Sequence, residues 1–159
     1  MEPSDEPKDH PQIIAFPPLI WLVGAVTSVL VHYFAFAVRM LPYGIALTLG
    51  IVCLIAAPCL AGSALMTMRA AGTNVNPAKP AVTIVRNGPY RFTRNPMYLA
   101  LCLLQVALGF FLNDWITLLF AIPLVLLLHF GVILPEERYL AAKFGESYLA
   151  LKREVHRWI

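Results

Sequence analysis

The chain has 159 residues, the length of one domain, with 59% apolar residues, 13% charged residues and a net charge of +3. A soluble domain carries about 25% charged residues, so there is too little charge here to cover a water-facing surface, which argues against both a soluble enzyme and a disordered chain. The basic residues form no long stripe, so nucleic acid is not an expected partner. The three cysteines, Cys53, Cys59 and Cys102, lie in apolar runs and match neither a zinc spacing nor a disulfide framework.

Residues 1–12, rich in proline and acid, read as a disordered acidic tail. Residues 13–159 read as one membrane domain. Stretches without charge locate four spans near 14–38, 42–68, 96–112 and 115–134, against the roughly 20 residues that a helix needs to cross hydrocarbon. Pro58 and Pro123 fall inside spans and predict kinks. Arg39 is the single basic residue between the first two spans, and none lies between the last two. The other eleven are Lys8, five in the 69–95 loop and five after residue 135. By the positive-inside rule both termini and the 69–95 loop face the cytoplasm, with the lipid bilayer as the first partner.

That loop carries turn chemistry from Gly72 to Pro80 and is too long for a mere connector, so an ordered, functional loop is expected. Asn95 and Pro96 suit the N-cap and first position of the third span. A helix start beside Arg91 and Arg94 is a place for a carboxylate. His129 lies late in the fourth span, and a histidine at membrane depth is a functional expectation. Glu136 and Glu137 follow two turns on, and they share its helix face if Pro135 only bends the chain. His32 has no charged neighbour in the sequence and is expected merely to bond a backbone carbonyl. One histidine and two glutamates are too few ligands for a metal, so none is expected. From Glu136 onward the chain is charged, with Leu140, Phe144, Tyr148, Leu151 and Val155 on one helical stripe. This predicts an amphipathic C-terminal helix, 136–157, on the membrane surface, with Gly145 as its point of interruption. The fold class is therefore all-α, an integral membrane bundle of about four transmembrane helices with a C-terminal amphipathic helix.

Gly88-Pro89-Tyr90 followed by Arg94-Asn95-Pro96-Met97-Tyr98 resembles the G-x-Y…R-H-P-x-Y signature of the isoprenylcysteine carboxyl methyltransferase and phospholipid methyltransferase superfamily. Asn95 stands where that signature has histidine. Glu136-Glu137-x-x-Leu140-x-x-x-Phe144-Gly145-x-x-Tyr148 resembles its second signature. The two occur in the right order about a hydrophobic hairpin, and the resemblance covers about residues 72–158. It implies a compact bacterial-type membrane methyltransferase, in the bacterial inner membrane, that uses S-adenosylmethionine at the cytoplasmic side. By the same resemblance Tyr90, Arg94, Asn95, Tyr98, His129, Glu136 and Glu137 line or support the cofactor pocket, with Arg94, His129 and Glu137 in the chemistry.

The chemistry of the residues is compatible. Glu136 or Glu137 can pair the ammonium of such a donor, and Arg94 can pair a carboxylate of donor or acceptor. Methyl transfer is an in-line displacement that needs alignment more than a covalent nucleophile. His129 is the candidate base if the acceptor is an amine. The expected acceptor is amphiphilic and membrane-partitioned: an isoprenylcysteine-like carboxylate, a thiol or a lipid head group, as a lipophilic small molecule or a lipidated substrate. Two other readings compete. One is an NADPH-dependent membrane reductase of the sterol or steroid type, with Lys152 and Arg153 near the nucleotide. The other is a non-catalytic four-helix membrane protein, which would be expected to carry a charge within a span.

Overall fold

The computed structural model describes residues 9–35 and 37–159, so residues 1–8 of the expected tail lie outside it. The protein is an all-helical membrane bundle. Its helices are α1 (Pro17–Phe34), α2 (Tyr43–Ala70), α3 (Pro96–Leu112), α4 (Trp115–Leu119), α5 (Ala121–Leu128), α6 (Leu134–Phe144) and α7 (Glu146–Glu154). A 3₁₀ turn, Gly88–Arg91, precedes α3, and a π-helical turn, His129–Ile133, joins α5 to α6. The helix α1, the helix α2 and the run Trp115–Phe144 are long and apolar enough to cross a membrane; α3 is a shorter apolar helix.

Each start and stop has a local cause. Prolines occupy the first turns of α1 and α3, where no amide donor is required. Asn113, left-handed at φ 48°, ends α3. Asp114 then caps α4 by accepting from the Thr117 N–H at 2.9 Å. Pro123 leaves the carbonyl four residues back without a helical donor, and the helix breaks nearby, at Phe120. Pro58, in contrast, sits inside an unbroken α2.

The largest helix–helix interface joins α2 to α3. Small residues are buried on both helices, Ala46, Gly50, Ala57 and Ala64 on α2 and Ala100 and Ala107 on α3, and Gly50 lies against the Phe111 ring of α3. Small residues let two backbones approach where hydrocarbon offers no hydrophobic drive for association. The bulky residues of α2, among them Ile45, Val52 and Ile55, point outward, as lipid-facing positions do. The helix α1 packs on α3, α4 and α5, with Ile20 in a core of Cys102, Leu124, Leu128 and Val132.

The π turn places the site. Pro135 has no amide to give to the carbonyl of Gly131, four residues back. That carbonyl accepts instead from the Ile14 N–H of the N-terminal segment, at 3.0 Å. The Leu134 N–H reaches back five residues to His129, so one extra residue enters the turn. Beyond it, the helix does not stop at 136: the same rod continues to Phe144 as α6. The expected C-terminal helix is thus α6 plus α7, interrupted where the sequence placed the break. They are divided at Gly145, whose φ of 52° and ψ of −129° are open to glycine and strained for other residues.

A candidate active site at one end of the bundle

Six elements converge on one cleft: the 73–85 loop, the 3₁₀ turn, the N-terminus of α3, α6, α7 and the segment after α7. The loop is ordered by its own polar side chains. Thr73 Oγ1 accepts from the Val82 N–H at 3.0 Å, and Asn74 Nδ2 donates to the Pro80 carbonyl at 2.7 Å. Tyr139 Oη of α6 accepts from the Ala81 N–H at 3.1 Å and so fastens the loop to the helix. Gly88, at φ 57°, lets the 3₁₀ turn press on α2; a Cβ there would sit 2.6 Å from Thr67 Oγ1.

Tyr90, Arg94, Asn95, Tyr98, Glu136 and Glu137 all line this cleft. Around them are apolar walls from Ile84, Val85, Met97, Leu140 and Leu151. His129 is not among the lining residues. The π turn winds less per residue than an α-helix, so its one extra residue leaves Glu136 about 100° short of the face it would share with His129 on a plain α-helix. Its ring lies edge-on to Phe130 instead.

The two glutamates, adjacent in sequence, have separate surroundings. Glu137 is buried and heavily paired. Arg157 grips it with two bonds, Nε to Oε1 at 2.7 Å and NH2 to Oε2 at 2.9 Å. Arg94 NH1 lies 2.9 Å from Oε1 and Lys152 Nζ 3.6 Å from Oε2. Burial alone would raise its carboxyl pKa; the Arg157 bonds and the nearby charges of Arg94, Arg157 and Lys152 outweigh that and hold it below the usual range. Glu136 accepts one bond, from Tyr98 Oη at 2.7 Å. Burial raises its pKa; the Tyr98 bond draws it back in part, and the charge of Glu137 adds to the rise. Tyr148, across the cleft, is pushed up to about 12 by burial and then by Glu137.

Arg94 is largely committed within the protein. Its Nε donates to the Val155 carbonyl at 3.0 Å, and NH1 donates to Tyr148 Oη at 3.1 Å while also facing Glu137. Asn95 occupies the N-cap position of α3, but its side chain does not cap. Its Nδ2 donates to the Arg157 carbonyl at 2.9 Å, and its own N–H donates to Thr93 Oγ1 at 3.1 Å.

Sequence reasoning missed Arg157. Its partner lies twenty residues upstream, beyond any helical spacing. The signal available was a lone arginine in the ending Val155-His156-Arg157-Trp158-Ile159, which has no acidic side chain to pair it locally. It also missed Lys152 as a partner of Glu137, having assigned that residue only to a nucleotide phosphate.

A 36% identical stretch of 63 residues, 40% of this chain, spans the whole of an uncharacterized protein of Haemophilus influenzae. The model of the phospholipid methyltransferase family matches residues 45–147, from α2 through the loop, α3 and the acidic pair into α7. The chain belongs to the phospholipid methyltransferase family.

Proposed function

We propose that the protein is an integral membrane S-adenosylmethionine-dependent methyltransferase acting on an amphiphilic acceptor that partitions into the bilayer. The observation that carries the reading is Glu136: a half-buried carboxylate at the cleft, with one hydrogen-bond partner among the described residues, between Tyr98 and the strongly paired Glu137. An acid so placed, with no basic side chain bonded to it among the described residues, suits a ligand that brings a cation.

The lining fits such a cofactor. Glu136 would take its ammonium or ribose hydroxyls, with Tyr90 and Tyr98 beside it, and the apolar wall of Val85, Leu140 and Leu151 would take the base. When bound, the cofactor supplies an electrophilic methyl group. The chain's own work is to hold, orient and exclude water. Glu136 fixes the cationic end, the ordered 73–85 loop covers the cleft, and Arg94, through Tyr148 and Glu137, keeps the far wall in place. His129 lies away from the cleft lining, so an acceptor that ionises unaided, a carboxylate or thiolate, needs no base from it. Three cations around one carboxylate give this end a positive field, which favours an anionic head group over an amine. The distribution of basic residues supports a cytoplasmic orientation of the cleft and both termini, and a bacterial inner membrane is part of the same proposal.

The test is binding of S-adenosylhomocysteine to the detergent-purified protein, followed by radiolabelled methyl transfer to lipid-soluble carboxylates and thiols and to water-soluble amines. Saturable binding that Glu136→Gln weakens about tenfold or more is expected, the worth of one charge-assisted bond. No binding of this nucleoside, or turnover of hydrophilic amines alone, overturns the proposal.

A further inference from the structure

The last residues of the chain return to the cleft as an extended strap. Val155 leaves α7 with φ −123° and ψ 132°. From there three consecutive carbonyls are used by the segment that opens α3. The Val155 carbonyl accepts from Arg94 Nε at 3.0 Å and the His156 carbonyl from the Arg94 N–H at 3.0 Å. The Arg157 carbonyl accepts from Asn95 Nδ2 at 2.9 Å and from Thr93 Oγ1 at 3.2 Å. The Arg157 side chain turns the other way and grips Glu137 with a two-point bond. Trp158, like Tyr98 and Leu101, packs against the core cluster of Ile20, Cys102, Leu124, Leu128 and Val132. One short segment thus ties together two motifs that lie some forty residues apart in the chain.

We propose that Arg157 is a positioning residue of the reaction, which acts on the cofactor only through Glu137 and its neighbour Glu136. The inference rests on the methyltransferase reading of the same cleft.

The physical reason is the pair of adjacent carboxylates. Two adjacent acids, one buried and one half-buried, resist double ionisation, and a cation on one lowers the cost of charging the other. The groups facing Glu136 are Tyr98 from α3, Tyr90 from the 3₁₀ turn, Glu137 on its own helix and Tyr148 from α7. None of these is a cation. Among the described residues, the cations that touch the acidic pair, Arg157, Arg94 and Lys152, all do so at Glu137, and Lys79 lines the cleft without an ion pair to either acid. Arg157 makes the only two-point contact of the three, and Arg geometry is suited to it in a way that Lys is not. With Arg157 gone, the charge on Glu137 is less compensated, so Glu136 becomes harder to ionise. A ligand cation that needs Glu136 charged should then bind only at higher pH.

The experiment measures S-adenosylhomocysteine affinity from pH 5 to 9 on detergent-purified wild-type protein, Arg157→Ala and Arg157→Lys. Arg153→Ala, an exposed arginine on α7 away from the cleft lining, is the control. The expected result is a loss on the order of tenfold at neutral pH in Arg157→Ala. Its acid limb should shift to higher pH, with partial recovery in Arg157→Lys and on adding free guanidinium to Arg157→Ala. The control should match the wild type. If Arg157→Ala binds as the wild type does, or loses affinity equally at every pH with no rescue, Arg157 is at most a structural strut and the inference is overturned. Wild-type protein that binds no S-adenosylhomocysteine overturns the methyltransferase reading, and this inference with it.

Discussion

Each end of the bundle buries a carboxylate, and the two are held by different means. At the end away from the cleft, Asp114 is wholly inaccessible. Its Oδ1 accepts from the Val38 N–H at 2.7 Å, and its Oδ2 accepts from the Thr117 N–H and hydroxyl at 2.9 and 2.8 Å. Asn113 beside it exchanges two bonds with Leu41, donating at 2.8 Å and accepting at 3.1 Å. At the cleft end Glu137 is held by the long side chains of Arg94, Lys152 and Arg157. Neutral donors fixed in the backbone make a rigid joint, here between the 38–41 turn and the α3–α4 hairpin. Flexible cations leave net charge and room for a ligand. The comparison separates a structural joint from a working site by the kind of donor each carboxylate receives.

The far end also corrects an expectation. His32, which has no charged neighbour in the sequence, lies with Nδ1 3.4 Å from Asp114 Oδ2. The α3–α4 hairpin brings the acid to it. Gln105 continues the polar chain inward, donating to Ser28 Oγ at 3.3 Å and to the Thr117 carbonyl at 3.1 Å. All four spans are free of charge in sequence, yet this network gives α1, α3 and α4 a shared polar seam.

The largest expected effect is on the joint. Asp114→Ala removes a cap and strands the Val38 and Thr117 donors, each at a cost of about 1–3 kcal/mol. The thermal midpoint in detergent should fall steeply, while S-adenosylhomocysteine affinity measured on protein still folded should hold. Lost affinity with unchanged stability would erase the distinction between the two ends.

The second effect divides the acidic pair. Glu137→Gln leaves the buried Arg94 without its anion and should cost roughly 2 kcal/mol of stability, below the range for a fully buried pair because Arg157 and Lys152 are partly exposed. Glu136→Gln removes a half-buried acid that makes one hydrogen bond and should leave the melting temperature nearly unchanged while it weakens cofactor binding. Equal behaviour of the two variants would mean that they share one role.

The smallest effects are those of solution conditions. Burial would raise the carboxyl of Asp114, but the Val38 and Thr117 donors, with His32, hold it at about 2. Its folded value is below the unfolded one. Its contribution to stability is therefore present above about pH 4 and is lost as pH falls toward 2. Salt should act at the other end. Raising ionic strength from 0.1 to 1 M shortens the screening length from about 10 to about 3 Å, and should cost the cleft end under about 1 kcal/mol. The Asp114→Ala penalty, measured at both salt concentrations, should not change.

Much of the fold could be read from residue types. Charge-free stretches marked the apolar helices because a charge is costly in hydrocarbon at any point along a span. Gly145 marked the break after α6 because few other residues tolerate its backbone angles. Tyr90, Arg94, Asn95, Tyr98, Glu136 and Glu137 line one cleft, and they belong to two signatures whose spacing survives the folding of the chain between them. The role of Asn95 was less legible. A good N-cap residue in the N-cap position turned its amide to the strap, because a carbonyl brought from sixty residues away competed for it.

What the sequence by itself determined is whatever depends on composition and local periodicity: an apolar helical bundle, its breaks at glycine and proline, and an acidic pair at the start of an amphipathic stretch. Tertiary structure decided the partners. His129 does not line the cleft, and the π turn between it and Glu136 carries Pro135 beside a Gly131 carbonyl that is satisfied by the Ile14 amide, from more than a hundred residues away. Which glutamate is paired and which stands with one hydroxyl was decided by a strap that reaches back from the C-terminus. Both outcomes rest on contacts between residues distant in sequence, and no local pattern encodes the distance between two side chains once the chain has turned back on itself.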